Sequence, residues 1–276
     1  MGQHFAVDQS VAKAAREGRF GEALSKLSRL APRYNGEFSH DWSVLHAELL
    51  ERTGQAEQAQ AILSVLTRSK SLSDHFRARC SIVEGRLARR RGHLKDADIA
   101  FRLACTQAEK GDSLEQLCWA QLRLTKVLGE ASGSERVKYV QDDLRRNIAR
   151  LGSPHVSVAY HVYSAEAEAK RGDMAESRHH GDLAESLLAR SPNVWLRGLL
   201  DIQYSCLHYL AGAYPEALRF AVRAVETSKQ SGDHDTRVVA LADLAASYLA
   251  LGQLTRASQC IGSALACSDP SDQAYG

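Results

Sequence analysis

The sequence predicts an all-α protein built as a solenoid of about seven antiparallel helix pairs. Three observations carry that prediction. A turn glycine recurs at Gly18, Gly54, Gly92, Gly172, Gly212 and Gly252, and a small residue follows each five positions on: Ala23, Ala59, Ala97, Ser177, Ala217 and Ala257. The last three glycines are 40 residues apart, and Gly92 lies twice that distance before Gly172. A fixed period of this size marks a repeat array, whose units bury their apolar faces only against stacked neighbours. Second, hydrophobic residues make up 44% of the chain, prolines number only five, and runs of β-branched residues are few, which favours helix throughout. Third, no composition shift or Gly/Ser-rich linker divides residues 1–276, so a single domain is expected over that span.

Each copy explains its own signature. Glycine ends the first helix because it enters the left-handed conformation without strain. The second helix then starts, and the small residue lets it approach the first closely. Pro215 suits such a start, since a first-turn residue needs no N–H. Seven positions before the glycine the facing residue is also small: Ala47, Gly85, Ala165, Ser205 and Ala245, with Val11 the larger exception.

The first pair is expected from about Phe5 to Gly18 and from Gly21 to about Leu30, with Pro32 and Gly36 closing it. A second spans roughly Ser39 to Ser69 about Gly54, with Ser39 or Asp41 as N-cap. The third runs from Ser73 to Lys110 about Gly92, and Ala97, Phe101 and Ala104 face its partner helix. In the fourth copy the signature fails, because the turn near residue 132 reads LGEASGSERV. Helices are still expected there, from the capping-box spacing of Asp112 with Glu115 and of Ser132 with Glu135. The fifth pair begins at Ser153-Pro154 and the sixth at Ser191-Pro192, both read as N-cap and first-turn proline; the seventh begins near Asp235.

These residues resemble the tetratricopeptide repeat (TPR) family, whose pattern places Gly and Tyr in the first helix and Ala-x3-Phe in the second. Gly85, Ala97 and Phe101 carry the match in one copy, Tyr248 and Ala257 in another. The period departs from the family's usual 34, and Trp and the closing Pro are mostly missing. Longer repeats of this sort are similar to those of bacterial transcription regulators and signalling ATPases. The resemblance implies a right-handed superhelix whose first helices line a concave, partner-holding groove.

After Cys267 the segment SDPSDQAYG aligns with SGDHDTRVV, which introduces the preceding copy. Without a polar capping helix after it, the chain is expected to be a fragment or one region of a longer protein, and its last repeat to support self-association.

Composition narrows the function classes. A formal charge of +2 and 7% aromatics give no broad basic track with stacking rings, so nucleic-acid binding is not expected. Cys80, Cys105, Cys118, Cys206, Cys260 and Cys267 form no C-x-x-C pair and read as reduced core thiols. Asp8, Lys13, Arg16 and Glu17 interrupt any apolar N-terminal run, and Ala6 stands where a myristoylation signal needs Ser or Thr. A cytoplasmic protein without membrane span is expected.

No constellation for catalysis, cofactor or metal is found: the phosphate-loop, zinc-protease, nucleophile-elbow and dinucleotide motifs are all missing. His179 and His180 are adjacent, hence about 100° apart on a helix, and read as surface residues. Asp233 and Asp235 read as helix-cap residues rather than a calcium loop.

What remains is the groove. By the register of the resemblance it includes Arg79, Ile82, Arg86, Arg89 and Arg90, and helical spacing alone sets these on one stripe. The same register adds Arg16, Arg52, Lys126 and Lys170. Two readings stand: a solvated face whose arginine stems cover apolar surface, or a docking site for an acidic peptide or phosphate, weakened by the nearby Glu48, Glu51, Glu130 and Glu166. Equivalent positions later are apolar: Leu199, Ile202, Cys206, Tyr209 and Leu210, then Val239, Ala242, Ala246, Leu249 and Ala250. They are core, or, where exposed, a second apolar groove at Ile202, Tyr209 and Leu210. The function expected is a non-enzymatic module docking a protein or peptide, as the regulatory region of a larger signalling or transcription protein. A sensor of a small peptide or metabolite and a nucleic-acid-binding helical repeat are the alternatives.

Overall fold

The computed structural model describes residues 8–30, 39–130 and 134–268. Fourteen helices form among them: α1 (Gln9–Arg16), α2 (Phe20–Leu30), α3 (His40–Arg52), α4 (Ala56–Leu66), α5 (Asp74–Arg90), α6 (Leu94–Lys110), α7 (Leu114–Glu130), α8 (Ser134–Leu151), α9 (Pro154–Arg171), α10 (Met174–Arg190), α11 (Val194–Leu210), α12 (Tyr214–Ser231), α13 (His234–Ala250) and α14 (Leu254–Ser268). No strand occurs among the described residues. The irregular turn near residue 132, the Ser132–Glu135 capping box, and the segment after Ser268 lie outside what can be described.

The chain divides into two compact units, one of Met1–Gln9, Lys26–Glu51 and Gln55–Ser157, the other of Ser10–Ser25, Arg52–Gly54 and Val158–Gly276. In the first unit, Ala97 and Phe101 of α6 pack with Leu124, Val127 and Leu128 of α7 and Val137 of α8. Gly85 of α5 makes room for that ring, since a Cβ there would lie 2.6 Å from Cε1 of Phe101. Small residues expected to face each other are buried in both units: Ala47 with Ala59, Gly85 with Ala97, Ala165 with Ser177, Ser205 with Ala217, and Ala245 with Ala257. Two of these pairs are hydrogen-bonded. Ser177 Oγ donates to the Ala165 carbonyl at 2.9 Å, and Ser205 Oγ to that of Ala217 at 3.1 Å. The repeated turn therefore brings the flanking helices to touching distance, as the spacing requires.

In the second unit the core joins Ala221, Ala224 and Val225 of α12 to Ala240, Leu241 and Leu244 of α13. The α1–α2 turn also packs here, against the start of α11. The Val194 amide donates to the Glu17 carbonyl at 2.9 Å, and Asn193 Nδ2 to that of Arg16 at 2.8 Å. Gly18 has φ +74°, and a Cβ on it would lie 2.4 Å from Asn193 Oδ1.

Two of the expected caps, at Asp112 and Ser191, move for a local reason, while those at Asp233 and Ser39 stand. Helix α7 starts after Ser113, and Asp112 occupies the turn at φ 47° rather than serving as N-cap. Helix α11 is capped not by Ser191 but by Asn193, whose Oδ1 accepts from the Leu196 amide, leaving Pro192 outside the helix. Helix α13 is capped by Asp233, which accepts from both the amide and the hydroxyl of Thr236. The Trp42 amide donates to Ser39 Oγ, which leaves Asp41 free to meet Arg79 instead.

Candidate functional site

The basic stripe of α5 is turned into the first unit and matched there by carboxylates. Arg79 donates through Nε and Nη2 to both oxygens of Glu48, at 2.8 and 2.7 Å, and through Nη1 to Asp41 at 2.7 Å. Burial opposes its charge, yet Glu48 and Asp41 hold its pKa above the ordinary arginine value. Arg86 and Arg90 both meet Glu51, at 2.9 and 2.7 Å, and Glu51 is fully buried. Arg90 also donates to the Glu51 carbonyl. Ile82 packs against the Phe101 core, and Arg89 and Lys126 are half-buried. In the second unit Arg52 pairs with Asp233 at 3.1 Å, and its guanidinium lies over Phe20 and Trp195. Arg79, Arg86, Arg90 and Arg52 thus fit neither reading of a solvent-facing stripe: their charges are answered inside the protein, so the electrostatic demand for an acidic partner is largely met.

The apolar positions fare differently. Helices α11 and α13 lie side by side. Ile202 is drawn into the core between α12 and α13, whereas Tyr209 and Leu210 are exposed. On α13, Val239 and Leu249 expose 46% and 48%, and Leu210 of α11 exposes 51%. Ala242 and Ala250 are exposed too, and Leu199, Cys206 and Ala246 are half-buried. Apolar side chains this open, at helical spacing on neighbouring helices, form a surface able to exchange water for a partner's apolar groups.

One carboxylate stands in that apolar setting. Asp243 of α13 has a fully buried Oδ2 with no hydrogen-bond partner. Burial, reinforced by the charge of Glu166 on α9, pushes its pKa up to about 7. The charges of Asp243, Glu166 and Lys170 all reach Cys206 on α11, so the four groups share one region of the first helices α9, α11 and α13. Glu166 itself is paired with Lys170 at 2.7 Å. Sequence reasoning passed over Asp243, although a signal was present: from Val238 to Ala250 it is the one charged residue in VVALADLAASYLA.

Two other titratable sites are structural. Asp201 of α11 is fully buried beside Arg223, at 2.9 Å, and burial lifts its pKa to about 6 against the pull of Arg223 and Arg197. His180 is not a surface residue: its Nδ1 lies 2.9 Å from Nδ1 of His161, with Tyr160 edge-on to both rings. Burial and the neighbouring His180 and His179 press the His161 pKa down to about 4. Burial pushes the Cys80 and Cys105 thiols up to about 12, so these cysteines behave as small core residues rather than nucleophiles. No group of three or more metal-ligating side chains occurs among the described residues, and no described helix is long and apolar enough to cross a membrane.

No family model matches the sequence, and no curated protein matches it. Solved structures do match. A chain of the APC/C hetero-tetramer Cut9–Hcn1 superposes with a TM-score of 0.64 at 13% identity, over 94% of this chain and 45% of that one. NprR, in complex with its cognate peptide NprX, gives a TM-score of 0.63 at 13% identity, over 94% of this chain and 79% of that one. The fold is that of the tetratricopeptide repeats. At this identity the likeness is one of TPR architecture, and the chain spans less than half of the Cut9–Hcn1 chain it matches. The TPR assignment explains why glycine and a small residue recur together while the other positions drift: only the helix-pair contact is shared by every copy.

Proposed function

We propose that this chain is a non-enzymatic docking module that holds a peptide or an extended protein segment against the apolar face of α11 and α13. The observation that carries the reading is the exposure of Tyr209, Leu210, Val239 and Leu249 on adjacent first helices of one unit. Isolated exposed apolar side chains need no explanation, but several on two neighbouring helices have a desolvation gain waiting for a partner. Supporting it at the level of fold, NprR is a TPR-type protein crystallised with a peptide. Arg79, Arg86 and Arg90 of α5, already engaged by Asp41, Glu48 and Glu51, serve as framework beneath that function rather than as the recognition element. The role we assign is in a larger cytoplasmic regulatory protein, in signalling or transcription, the setting of the long-period repeats this chain resembles.

The test is selection of random nine-residue peptides displayed on phage, with the whole chain as bait. Enriched peptides raise the thermal midpoint of the wild type. They lose at least tenfold in affinity for Tyr209→Glu/Leu249→Glu, as expected where about 1.4 kcal/mol or more of apolar contact is removed. A folded wild-type chain that enriches nothing, or a variant that binds equally well, defeats the reading.

A further inference from the structure

The apolar face of α11 and α13 surrounds a charge that the protein leaves unanswered. Asp243 is half-buried, its Oδ2 is closed off from water and receives no hydrogen bond, and no ion pair to it occurs among the described residues. One helical turn away lie Val239, Ala240, Ala246 and Ser247; the first three carry no side-chain donor, and the Ser247 hydroxyl is spent on the Asp243 backbone carbonyl at 2.9 Å. The charged groups facing it are Glu166, a like charge, and Lys170, which sits on Glu166. Those three groups sum to one negative charge when all are ionised. Two buried acids of the first helices do have a base: Asp201 has Arg223, and Glu51 has Arg86 and Arg90. A buried acidic group without a donor is costly, and it stays in a folded protein either neutral or completed by a partner.

We infer that the segment docked on this face presents one Lys or Arg side chain between apolar neighbours, and that Asp243 is its counter-charge. This deepens the docking reading and rests on it. Charge complementarity names the occupant: the apolar rim at Leu210, Val239 and Leu249 takes the flanking side chains, and the ammonium or guanidinium reaches the carboxylate. Lys and Arg suit the approach because their methylene stems lie along apolar surface while the charged head goes deeper. Arrival of the cation stabilises the ionised carboxylate, so a proton leaves Asp243 when the segment binds below neutral pH. The site thereby discriminates by charge where its apolar rim discriminates only by size.

The nine-residue phage library is the probe. On the wild-type chain the enriched peptides carry Lys or Arg at one fixed position flanked by apolar residues. On Asp243→Asn the basic preference disappears and the apolar preference stays; this variant is close to isosteric and removes a buried acid, so it folds. Replacing the basic residue of a selected peptide by norleucine weakens its binding to the wild type about tenfold, the worth of one charge-assisted hydrogen bond. Calorimetry at pH 6 in two buffers of different ionisation enthalpy detects the released proton for the wild type and none for Asp243→Asn. Peptides enriched for apolar residues without a basic position, or a basic position selected equally by Asp243→Asn, overturn the inference while leaving docking intact. A folded wild-type chain that enriches no peptide removes the docking reading and this inference together.

Discussion

Arg52 Nη1 lies 3.1 Å from Asp233 Oδ2, and the guanidinium rests 4.4 Å from the centroid of Phe20 and 4.1 Å from that of Trp195. Asp233 is 2% exposed and also caps α13 through Thr236. Removing the cation takes the Arg52 charge away from a buried carboxylate that keeps its cap role. Arg52→Ala is expected to cost about 3–5 kcal/mol in denaturant unfolding, and Arg52→Lys about 1–2 kcal/mol, because lysine restores charge without the planar stacking. A loss near zero for Arg52→Lys would show that the rings contribute nothing.

Gly85 and Phe101 form a second coupled pair. A methyl group at Gly85 would enter the Phe101 ring, so Gly85→Ala is expected to destabilise by about 1–3 kcal/mol even though alanine favours helix. Combining it with Phe101→Leu is expected to cost less than the sum of the two single changes, which a double-mutant cycle reads directly. Strict additivity would place the strain elsewhere.

Asp243 has a pH signature in the free protein. Its folded pKa, about 7, lies above the ordinary aspartate value of 3.8, so the folded state holds the extra proton between them. The associated stability is therefore present below about pH 4, falls as pH rises through that interval, and is gone above about pH 7. Asp243→Asn removes the dependence. Thermal midpoints should show the variant gaining on the wild type from pH 5 to pH 8 by about 2 kcal/mol, with Asp201 contributing equally to both. A constant difference across that range would mean that Asp243 titrates normally.

The self-association expected from the sequence has one candidate face, on α14. On α12, Leu218, Ala221 and Val225 are covered by Ala240, Leu241 and Leu244 of α13. Forty residues on, Ser258, Ile261 and Leu265 of α14 occupy the same register, and Ile261 and Leu265 expose 44% and 65%. A second copy of the chain is expected to cover this face, giving a sedimentation mass that rises with concentration and ceases to do so in Ile261→Glu/Leu265→Glu. A mass fixed at the monomer at the highest attainable concentration would rule this out.

How far the sequence was legible depends on the range of the forces involved. The helix pairs were readable because Gly92, Ala97 and Phe101 act within one turn and its two helices, where spacing equals geometry. The fate of the arginines was not, because Arg79 finds Asp41 and Glu48 on a different helix pair, and Arg52 finds Asp233 across 181 positions. Helical periodicity sets which residues share a stripe but not what faces it. The same limit hid the His161–His180 contact, and it explains why Tyr209 and Leu210 emerged exposed while Ile202, on the same stripe, went into the core. The cap at Asn193 falls two residues from its expected place at Ser191 because Ser and Asn compete for that position, and the choice between them is made by tertiary contacts such as Asn193 with Arg16, whereas the cap at Asp233 stands as expected.

The amide of Val194 is the first in α11, a position with no acceptor inside its own helix, and it is satisfied by the carbonyl of Glu17. Its exchange with deuterium therefore reports on something other than the helix it belongs to. With the α1–α2 turn seated, Val194 is expected to exchange slowly; a displaced turn would free that backbone amide, while the Leu196 amide would keep its acceptor on Asn193. A single backbone position thus works as a built-in gauge of whether the beginning of the chain is in place.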